Sequence, residues 1–308
     1  MNLELFILGC GGMMPLPKRH LTSLLLRREG ELFLFDCGEG TQVSLRKLNL
    51  KWKKISAIFI SHTHADHVTG LPGIMMLSSQ VDREEPLYII GPPKTKEYVQ
   101  MSMKVLDMYI NYEVKVIEIE GGEAVYSSED FSVRSFHLKH SKPCVGYVFE
   151  EKDRPGVFFP EKAAEMGIPK GPLWSRLQSG ETVSLNDGSK IGPGDVMGPP
   201  RKGRKVGYIT DTLPVSGIED RVRGSDIIIC EGMFTEELEE SAKEKKHLTA
   251  KQAACIAKNG SVDKMGLIHY SPRYTEYDLK KLLKEAKTIF PNTFLTRDGQ
   301  IIPVSYKD

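Results

Sequence analysis

The stretch "SHTHADHVTG", residues 61–70, places three histidines and an aspartate within six positions, as His62, His64, Asp66 and His67. The whole chain of 308 residues contains only eight histidines. Imidazoles crowded together would repel one another once protonated, whereas neutral imidazoles beside a carboxylate are typical ligands of zinc. His62 and His64 can face one ion, and Asp66 and His67 can face a second. The spacing therefore predicts a metal site here rather than a solvated polar loop.

The composition is that of an ordinary globular protein, and a net charge of +1 neither demands nor excludes a nucleic-acid partner. The N-terminal residues "MNLELFILGCGG" lack a basic region followed by an apolar core, so we expect no signal peptide. No apolar run approaches the ~20 residues of a membrane span. Five scattered cysteines without a C-x-x-C pair indicate reduced thiols, and hence a cytoplasmic protein.

Short apolar strands alternate with helical patterns in two runs. The first run begins with "LELFILG" and includes "ISAIFIS", which leads directly into the histidine cluster. The second includes "KVGYITD", "SDIIICE" and "KMGLIHYS", and closes with a helix expected from Glu276. This pattern predicts two similar halves of one layered α/β domain spanning residues 1–308.

A segment of different character separates the two runs, from about Lys152 to Lys205. It is rich in proline and glycine, and a long irregular stretch inside a compact domain is usually functional. It also carries Phe158, Trp174 and Leu177, which are more apolar anchors than a disordered linker needs. We therefore predict a protruding, partly folded insertion over residues 152–200.

Three further candidate ligands each close an apolar run far from the cluster. His140 ends "SVRSFHLKH", Asp211 ends "KVGYITD", and His269 lies at the end of "KMGLIHY". A polar side chain at the end of a buried strand is unusual as core filling, so we expect these three to join the cluster. Asp36, which ends "ELFLFD", is predicted to orient the histidine loop and not to bind metal directly.

The motif H-T-H-A-D-H after a buried strand, with its distant partners, resembles the metallo-β-lactamase superfamily. That resemblance implies a four-layer αβ/βα sandwich. The segments "FDCGEGTQ", "HADHVTGLPGIM", "GPPRKGRKVGYITDT" and "HYSPRY" are similar to the ribonuclease Z family, the tRNA 3′-processing endonucleases. The insertion "GIPKGPLWSRLQSGETVSLNDG" is similar to the flexible arm of its short bacterial members. The resemblance covers nearly the whole chain.

The resemblance also implies which residues hold two zinc ions. One ion would lie on His62, His64 and His140, the other on Asp66, His67 and His269, with Asp211 bridging them. Members of the family also use a Glu–His pair, which corresponds to Glu231 and His247. Here the sequence departs from the family, which reads His-Glu-Ala-Thr where this chain has Cys230-Glu231-Gly232-Met233.

Two zinc ions about 3.5–4 Å apart can lower the pKa of a bridging water toward neutrality. The predicted reaction is attack of the resulting hydroxide on a phosphodiester, with Asp66 as a candidate proton acceptor. His247, oriented by Glu231, is predicted to protonate the leaving 3′-oxygen. The implied outcome is one cut in precursor tRNA, 3′ of the discriminator base, which removes the 3′ trailer and leaves a 3′-hydroxyl.

The arm of one subunit reaches the tRNA bound by the other in the family, which implies a homodimer. A charge run is usually only a solvated face, but "RKGRK" beside a phosphate-cleaving site is predicted to clamp the RNA backbone. The predicted RNA-binding residues are Lys170, Gly171, Pro172, Trp174, Arg176, Arg201, Lys202, Arg204 and Lys205.

Two other functions stay open. A different hydrolase on the same metal site, such as a glyoxalase-II-like thioesterase or a small-molecule phosphodiesterase, would not need the arm. A non-catalytic RNA-binding protein would have no reason to keep seven ligands together with Glu231 and His247.

Overall fold

The computed structural model describes residues 2–81 and 83–307. Its strands are β1 (Leu3–Gly9), β2 (Ser23–Arg28), β3 (Glu31–Phe35), β4 (Ile55–Phe59), β5 (Leu87–Gly91), β6 (Val114–Glu118), β7 (Ala124–Ser127), β8 (Phe131–Lys139), β9 (Pro143–Glu151), β10 (Val183–Ser184), β11 (Lys190–Ile191), β12 (Lys205–Ile209), β13 (Ile227–Glu231), β14 (Lys264–Ile268), β15 (Thr293–Leu295) and β16 (Ile301–Pro303). Its α-helices are α1 (Thr41–Lys47), α2 (Ala65–Val68), α3 (Leu71–Ser79), α4 (Thr95–Val105), α5 (Pro160–Glu165), α6 (Pro172–Gln178), α7 (Pro193–Val196), α8 (Ile218–Arg221), α9 (Glu239–Lys245), α10 (Ala250–Asn259) and α11 (Leu279–Ile289). Two 3₁₀ turns span Trp52–Lys54 and Glu236–Leu238.

Two seven-stranded mixed sheets organise the larger of two compact units, residues 1–150 and 205–305. The first sheet has the order β16-β1-β2-β3-β4-β5-β6, and its strands β3 to β6 are parallel. The second has the order β15-β14-β13-β12-β9-β8-β7, and its strands β12 to β15 are parallel. Each sheet therefore combines a parallel βα half with antiparallel hairpin strands.

Buried side chains lie on both faces of each sheet. Aromatic rings fill the space between the sheets, where Phe59 stacks on Phe35 at 5.0 Å and contacts Tyr147 at 5.4 Å between ring centroids. Outside the first sheet, Leu45, Ile74 and Val99 of three helices pack on its other face. Burying both faces of a largely parallel sheet requires helices on the outside, which gives four layers. The predicted αβ/βα sandwich is confirmed.

Side-chain hydrogen bonds determine where the helices α10 and α11 begin. The Thr249 hydroxyl accepts the Gln252 amide at 3.2 Å and the Gln252 side chain accepts the Thr249 amide at 2.9 Å, which forms a capping box at the start of α10. The last helix begins at Leu279, three residues later than predicted, because the Asp278 carboxylate accepts the amide and hydroxyl of Thr275 and holds a turn there.

The second compact unit comprises residues 151–204 and 306–307. It has a small core of its own, formed by Ala163, Ile168, Leu177, Val183, Ile191 and Val196. At its root, Glu151 and Arg204 form a buried ion pair at 2.8 Å, and Arg154 and Arg201 exchange two backbone hydrogen bonds. The segment is thus a folded unit closed at its base.

No helix in residues 2–81 or 83–307 combines the length and apolarity that a membrane crossing requires.

Candidate metal centre

The ends of several strands bring the candidate ligands to one edge of the two sheets. The cluster from His62 to His67 follows β4, His140 follows β8, Asp211 follows β12, and His269 follows β14. The loops after parallel strands emerge at the same edge of a sheet, where binding sites are commonly built. The seven predicted ligands consequently form two groups that could each hold a metal ion.

The first group consists of His62, His64, His140 and Asp211. His64 Nδ1 lies 2.9 Å from His62 Nε2 and 3.1 Å from His140 Nε2. Asp211 Oδ2 completes the group, at 3.6 Å from His62 Nε2 and 3.7 Å from His140 Nε2. Three imidazole nitrogens and one carboxylate oxygen thus converge on one point.

The second group consists of Asp66, His67 and His269, and the other Asp211 oxygen adjoins it. His67 Nε2 and His269 Nε2 are 3.0 Å apart, and Asp66 Oδ2 lies 3.3 Å from the latter. Asp211 Oδ1 is 3.4 Å from His67 Nε2 and 3.2 Å from His269 Nε2. Asp211 therefore presents one oxygen to each group, which is the position of a bridging ligand.

The donor set fits a divalent metal ion. Ligands 2.0–2.1 Å from a tetrahedral zinc stand roughly 3.3 Å from one another, and the distances above run from 2.9 to 3.7 Å. Burial would raise the pKa of Asp211, but the surrounding histidines, His269 and His67 foremost, hold that pKa well below its usual value. The carboxylate is therefore ionised, as a ligand must be.

Hydrogen bonds on the far side of the imidazoles fix their orientation. Asp36 Oδ2 accepts from His67 Nδ1 at 2.8 Å, from the Ser61 hydroxyl at 2.7 Å and from the Tyr208 hydroxyl at 2.7 Å. The Ser61 oxygen lies 3.0 Å from His62 Nδ1, so the proton on that nitrogen leaves Nε2 free to bind metal. Asp36 is where the sequence analysis expected it, orienting the loop.

The rings of His140 and His269 are held in place in different ways, one by a hydrogen bond and the other by packing. His140 Nδ1 donates to the Lys246 carbonyl at 2.9 Å, which directs Nε2 toward His64. His269 Nδ1 is a buried nitrogen without a hydrogen-bond partner among the described residues. Its ring is held by packing, since a Cβ at Gly12 would fall 2.5 Å from His269 Cε1. Glycine at position 12 is therefore required for close approach of this loop to the site.

Four of the nine described non-glycine residues with positive φ lie at the site. His269, Asp36, Met13 and Lys246 have φ of 62°, 54°, 68° and 58°, in the left-handed region that non-glycine residues seldom adopt. The Met13 amide uses this geometry to donate to Asp66 Oδ2 at 2.7 Å. Such strain persists where the surroundings over-determine the conformation, and is typical of functional sites.

The predicted Glu–His pair is also present. Glu231 Oε2 lies 3.1 Å from His247 Nδ1, and Oε1 accepts the Thr212 amide at 2.7 Å. Burial alone would lower the pKa of His247, but the carboxylates of Glu231 and Asp211 outweigh it and raise that pKa to about 9. These carboxylates favour the protonated form of His247. It lies beside the metal ligands, with its ring 5.5 Å from that of His269.

These residues open into one pocket of about 480 Å³. Its lining includes Asp66, His140, Asp211 and His247, and the last residues of α9 close one wall. Four contributors to the site were not predicted from the sequence: Ser61, Tyr208, Thr212 and Met13. Ser61 directly precedes the histidine motif, and the other three act through a buried hydroxyl or a backbone amide, for which the sequence carries no signal.

The predicted RNA-binding residues do not converge on one point as the candidate metal ligands do. Pro172, Trp174 and Arg176 lie in the short helix α6 of the second unit, and Lys170 and Gly171 directly precede it. Lys202 is exposed. The Trp174 indole donates to the Ile168 carbonyl at 3.1 Å, and Arg176 pairs with Glu181 at 2.8 Å.

The last residues of the basic run differ from one another. Arg204 is a correction: its guanidinium is buried in the ion pair with Glu151, so it supports the root of the arm and cannot reach RNA. Arg201 Nε donates to the Pro155 carbonyl at 3.1 Å, and Lys205 lies in β12, 3.6 Å from Glu150.

The fold and the paired ligand groups define a class, the metal-dependent hydrolases of the metallo-β-lactamase fold. Among solved structures, the short form of human tRNase Z matches with a TM-score of 0.71 and 25% identity over 98% of this chain and 99% of that one. The metallo-β-lactamase fold protein YhfI of Bacillus subtilis matches with a TM-score of 0.69 over 98% and 100%, at 17% identity. A profile of the family described as anti-Pycsar protein Apyc1 matches residues 3–154.

Proteins similar in sequence identify the family more closely than the structural neighbours do. A ribonuclease Z of Treponema denticola is 65% identical over 308 residues, the whole of both chains. A ribonuclease Z of Borrelia garinii is 47% identical over 97% of this chain and 96% of that one. The chain therefore belongs to the ribonuclease Z family and is an endoribonuclease, an enzyme that hydrolyses phosphodiester bonds.

Proposed function

We propose that this enzyme removes the 3′ trailer of precursor tRNA with one cut 3′ of the discriminator base, leaving a 3′-hydroxyl. The observation that carries the proposal is the pair of ligand groups sharing Asp211, on a chain most of whose length resembles ribonuclease Z proteins. A phosphodiester places negative charge on two non-bridging oxygens, and a pair of metal cations would stabilise that charge.

Two zinc ions would fill the site. His62, His64 and His140 would hold one, Asp66, His67 and His269 the other, and Asp211 would bridge them. When bound, such ions activate a water molecule and stabilise charge on the phosphate. Five of these seven residues, His62, Asp66, His67, Asp211 and His269, have 9% or less of their surface exposed, so the ions would be largely shielded from bulk water.

The protein's own groups would move the protons. His247 is favoured in its protonated form, is oriented by Glu231 and lines the pocket, so it can donate a proton to the leaving 3′-oxygen. Asp66 lines the same pocket and would accept a proton from the attacking water. The Thr212 amide bound to Glu231 ties the orientation of His247 to the segment that carries Asp211.

The folded insertion would hold the body of the tRNA. Lys170 and Lys202 carry exposed ammonium groups, and Trp174 is half-buried and can present an edge to RNA. With Arg204 removed from the set, we keep Lys170, Gly171, Pro172, Trp174, Arg176, Arg201, Lys202 and Lys205 as the candidate contacts. Because the proposed substrate is precursor tRNA, we also propose that the enzyme acts in the cytoplasm.

We further propose a homodimer in which the arm of one subunit serves the site of the other. Exposed apolar side chains near the end of α4 support an interface there: Met101, Val105, Leu106 and Tyr109 are 51%, 70%, 55% and 80% exposed. Large exposed apolar side chains grouped on a surface commonly mark a protein contact.

Cleavage of a precursor tRNA without CCA, followed by mapping of both product ends, tests the proposed function. We expect a single cut after the discriminator base, with a 3′-hydroxyl on the tRNA, and no cut by an Asp211→Asn variant. A thioesterase would instead hydrolyse a glutathione thioester and leave the RNA intact. An RNA-binding protein would retain the tRNA without cutting it. Either result would refute the proposal.

A further inference from the structure

Two lysine side chains border the metal centre without belonging to either ligand group. Lys245 and Lys246, at the end of α9, line the same pocket of about 480 Å³ as His64, His140 and His247. Glu244 is the one carboxylate beside them on that wall, so the wall carries an excess of positive charge. Neither lysine forms an ion pair within residues 2–81 and 83–307, although paired charges occur nearby, as between Lys251 and Glu236.

The backbone of Lys246 has a structural task that needs no side chain. Its carbonyl accepts the proton of His140 Nδ1 at 2.9 Å, and its amide donates to the Lys243 carbonyl at 3.2 Å. To do this, Lys246 adopts φ 58° and ψ 52° at the C-terminal end of the helix. Glycine is the residue that this left-handed conformation favours, because it has no Cβ to clash. Folding alone would therefore place glycine here.

A lysine held in strained backbone beside a reaction centre suggests a task for its side chain. An ammonium group is a compact charge with three donors and suits a phosphate oxygen. The substrate is a chain of phosphates, of which only one can lie on the metal ligands. The neighbouring phosphates must pass the pocket wall, where Lys246 stands next in sequence to His247.

We infer that Lys246, assisted by Lys245, binds a phosphate of the RNA backbone adjacent to the scissile one. This assignment rests on the proposed function and deepens it. Lys246 thus has two separable roles, since its carbonyl orients a metal ligand and its side chain holds the substrate in register for the cut.

The variant Lys246→Gly separates these roles because it deletes the side chain and relieves the backbone strain. We expect its melting temperature to equal or exceed that of the parent protein. We expect kcat/KM on precursor tRNA to fall about tenfold, the scale of one charged hydrogen bond. The slope of log(kcat/KM) against log[salt] should also decrease in magnitude by about 0.7–0.9, the value of one lost phosphate contact.

Lys243→Ala is the matched control, because Lys243 is exposed on the same helix and does not line the pocket. It removes the same charge and should change neither quantity. Dissociation constants for the product tRNA, which cannot be cut again, give a readout independent of turnover. They should rise with Lys246→Gly and not with the control.

Two results would overturn the inference. Unchanged kcat/KM and salt slope in Lys246→Gly would show that the side chain does not meet the RNA. An equal loss on precursor tRNA and on bis(p-nitrophenyl) phosphate would show that the substitution acts through His140. A parent protein that fails to cut precursor tRNA would contradict the proposed function itself, and the tRNA dissociation constants would then decide whether Lys246 binds RNA.

Discussion

Single residues at the site divide into those that sequence could reveal and those that only the fold assembles. His140, Asp211 and His269 are polar residues that close apolar strands, and the other four candidate ligands stand together in one motif, so their positions are visible in the pattern of the chain. Tyr208 looks like one more apolar residue of β12, yet its hydroxyl donates to Asp36. Burial, followed by the nearby Asp36 carboxylate, raises the pKa of Tyr208 well above its usual value, so it stays protonated as a donor.

The contacts of Glu231 are a second example of a site that only the fold assembles. Cys230 and Gly232 flank Glu231, whose carboxylate lies 3.1 Å from His247 Nδ1 and accepts the Thr212 amide at 2.7 Å. A Cβ at position 232 would fall 2.7 Å from Leu267 Cδ2. Packing against that leucine explains why glycine fits here.

The role of His247 as proton donor is tested by His247→Ala. Because the leaving 3′-oxygen needs a proton, kcat on precursor tRNA should fall by roughly 10²–10⁴-fold. A nitrophenyl phosphodiester, whose leaving group departs unprotonated, should lose much less. Metal content should stay at the parent value, and His137→Ala, which alters an exposed histidine away from the site, should leave both activities intact. Equal losses on the two substrates would mean that His247 positions another group.

At the scale of elements, the strands that carry the site were the predictable part of the fold. β4, β12 and β14 are short apolar runs that end in the ligand loops, and the sequence pattern located all three. β2 was missed because "SLLLRR" shows no alternation and its buried residues lie on both faces of the sheet. The insertion was predicted from composition, but its small core depends on contacts between residues far apart in sequence, such as Phe158 and Trp174.

Replacing residues 156–199 with a short Gly/Ser linker tests the arm as the tRNA-binding element. The replacement keeps the hydrogen bonds between Arg154 and Arg201 that close its root, and none of the metal-group residues is removed. Loop closure entropy changes only slowly with length, so the remaining chain should fold. Hydrolysis of a small phosphodiester should survive, whereas kcat/KM on precursor tRNA should fall at least tenfold.

Mixing this armless protein with a His64→Ala variant tests whether the arm acts across subunits. Each protein alone should be inactive on precursor tRNA, one for lack of an arm and the other for lack of a ligand. Mixed dimers unite an intact site with a partner's arm, so cleavage should return after subunit exchange. Wild-type cleavage by the armless protein, or no recovery in the mixture, would contradict the proposed division of labour.

At the scale of the whole molecule, two similar βα halves contribute candidate ligands to one shared centre. The first half supplies His62, His64, Asp66 and His67. The second supplies Asp211 and His269, with His140 from the antiparallel strands beside it. No local pattern joins residues about 200 positions apart, such as His67 and His269. The polar residues at the strand ends indicated that these ligands join the cluster, and the family resemblance implied how they divide between two ions.

The most direct measurement is a metal titration of the chelator-stripped enzyme, with cleavage of CCA-less precursor tRNA as the readout. Seven ligand side chains are too many for one tetrahedral ion, so activity should rise until two equivalents of zinc are bound per chain and then level off. The cut should fall after the discriminator base throughout the titration. Full activity at one equivalent per chain would contradict the two-ion site, and with it the bridging role of Asp211.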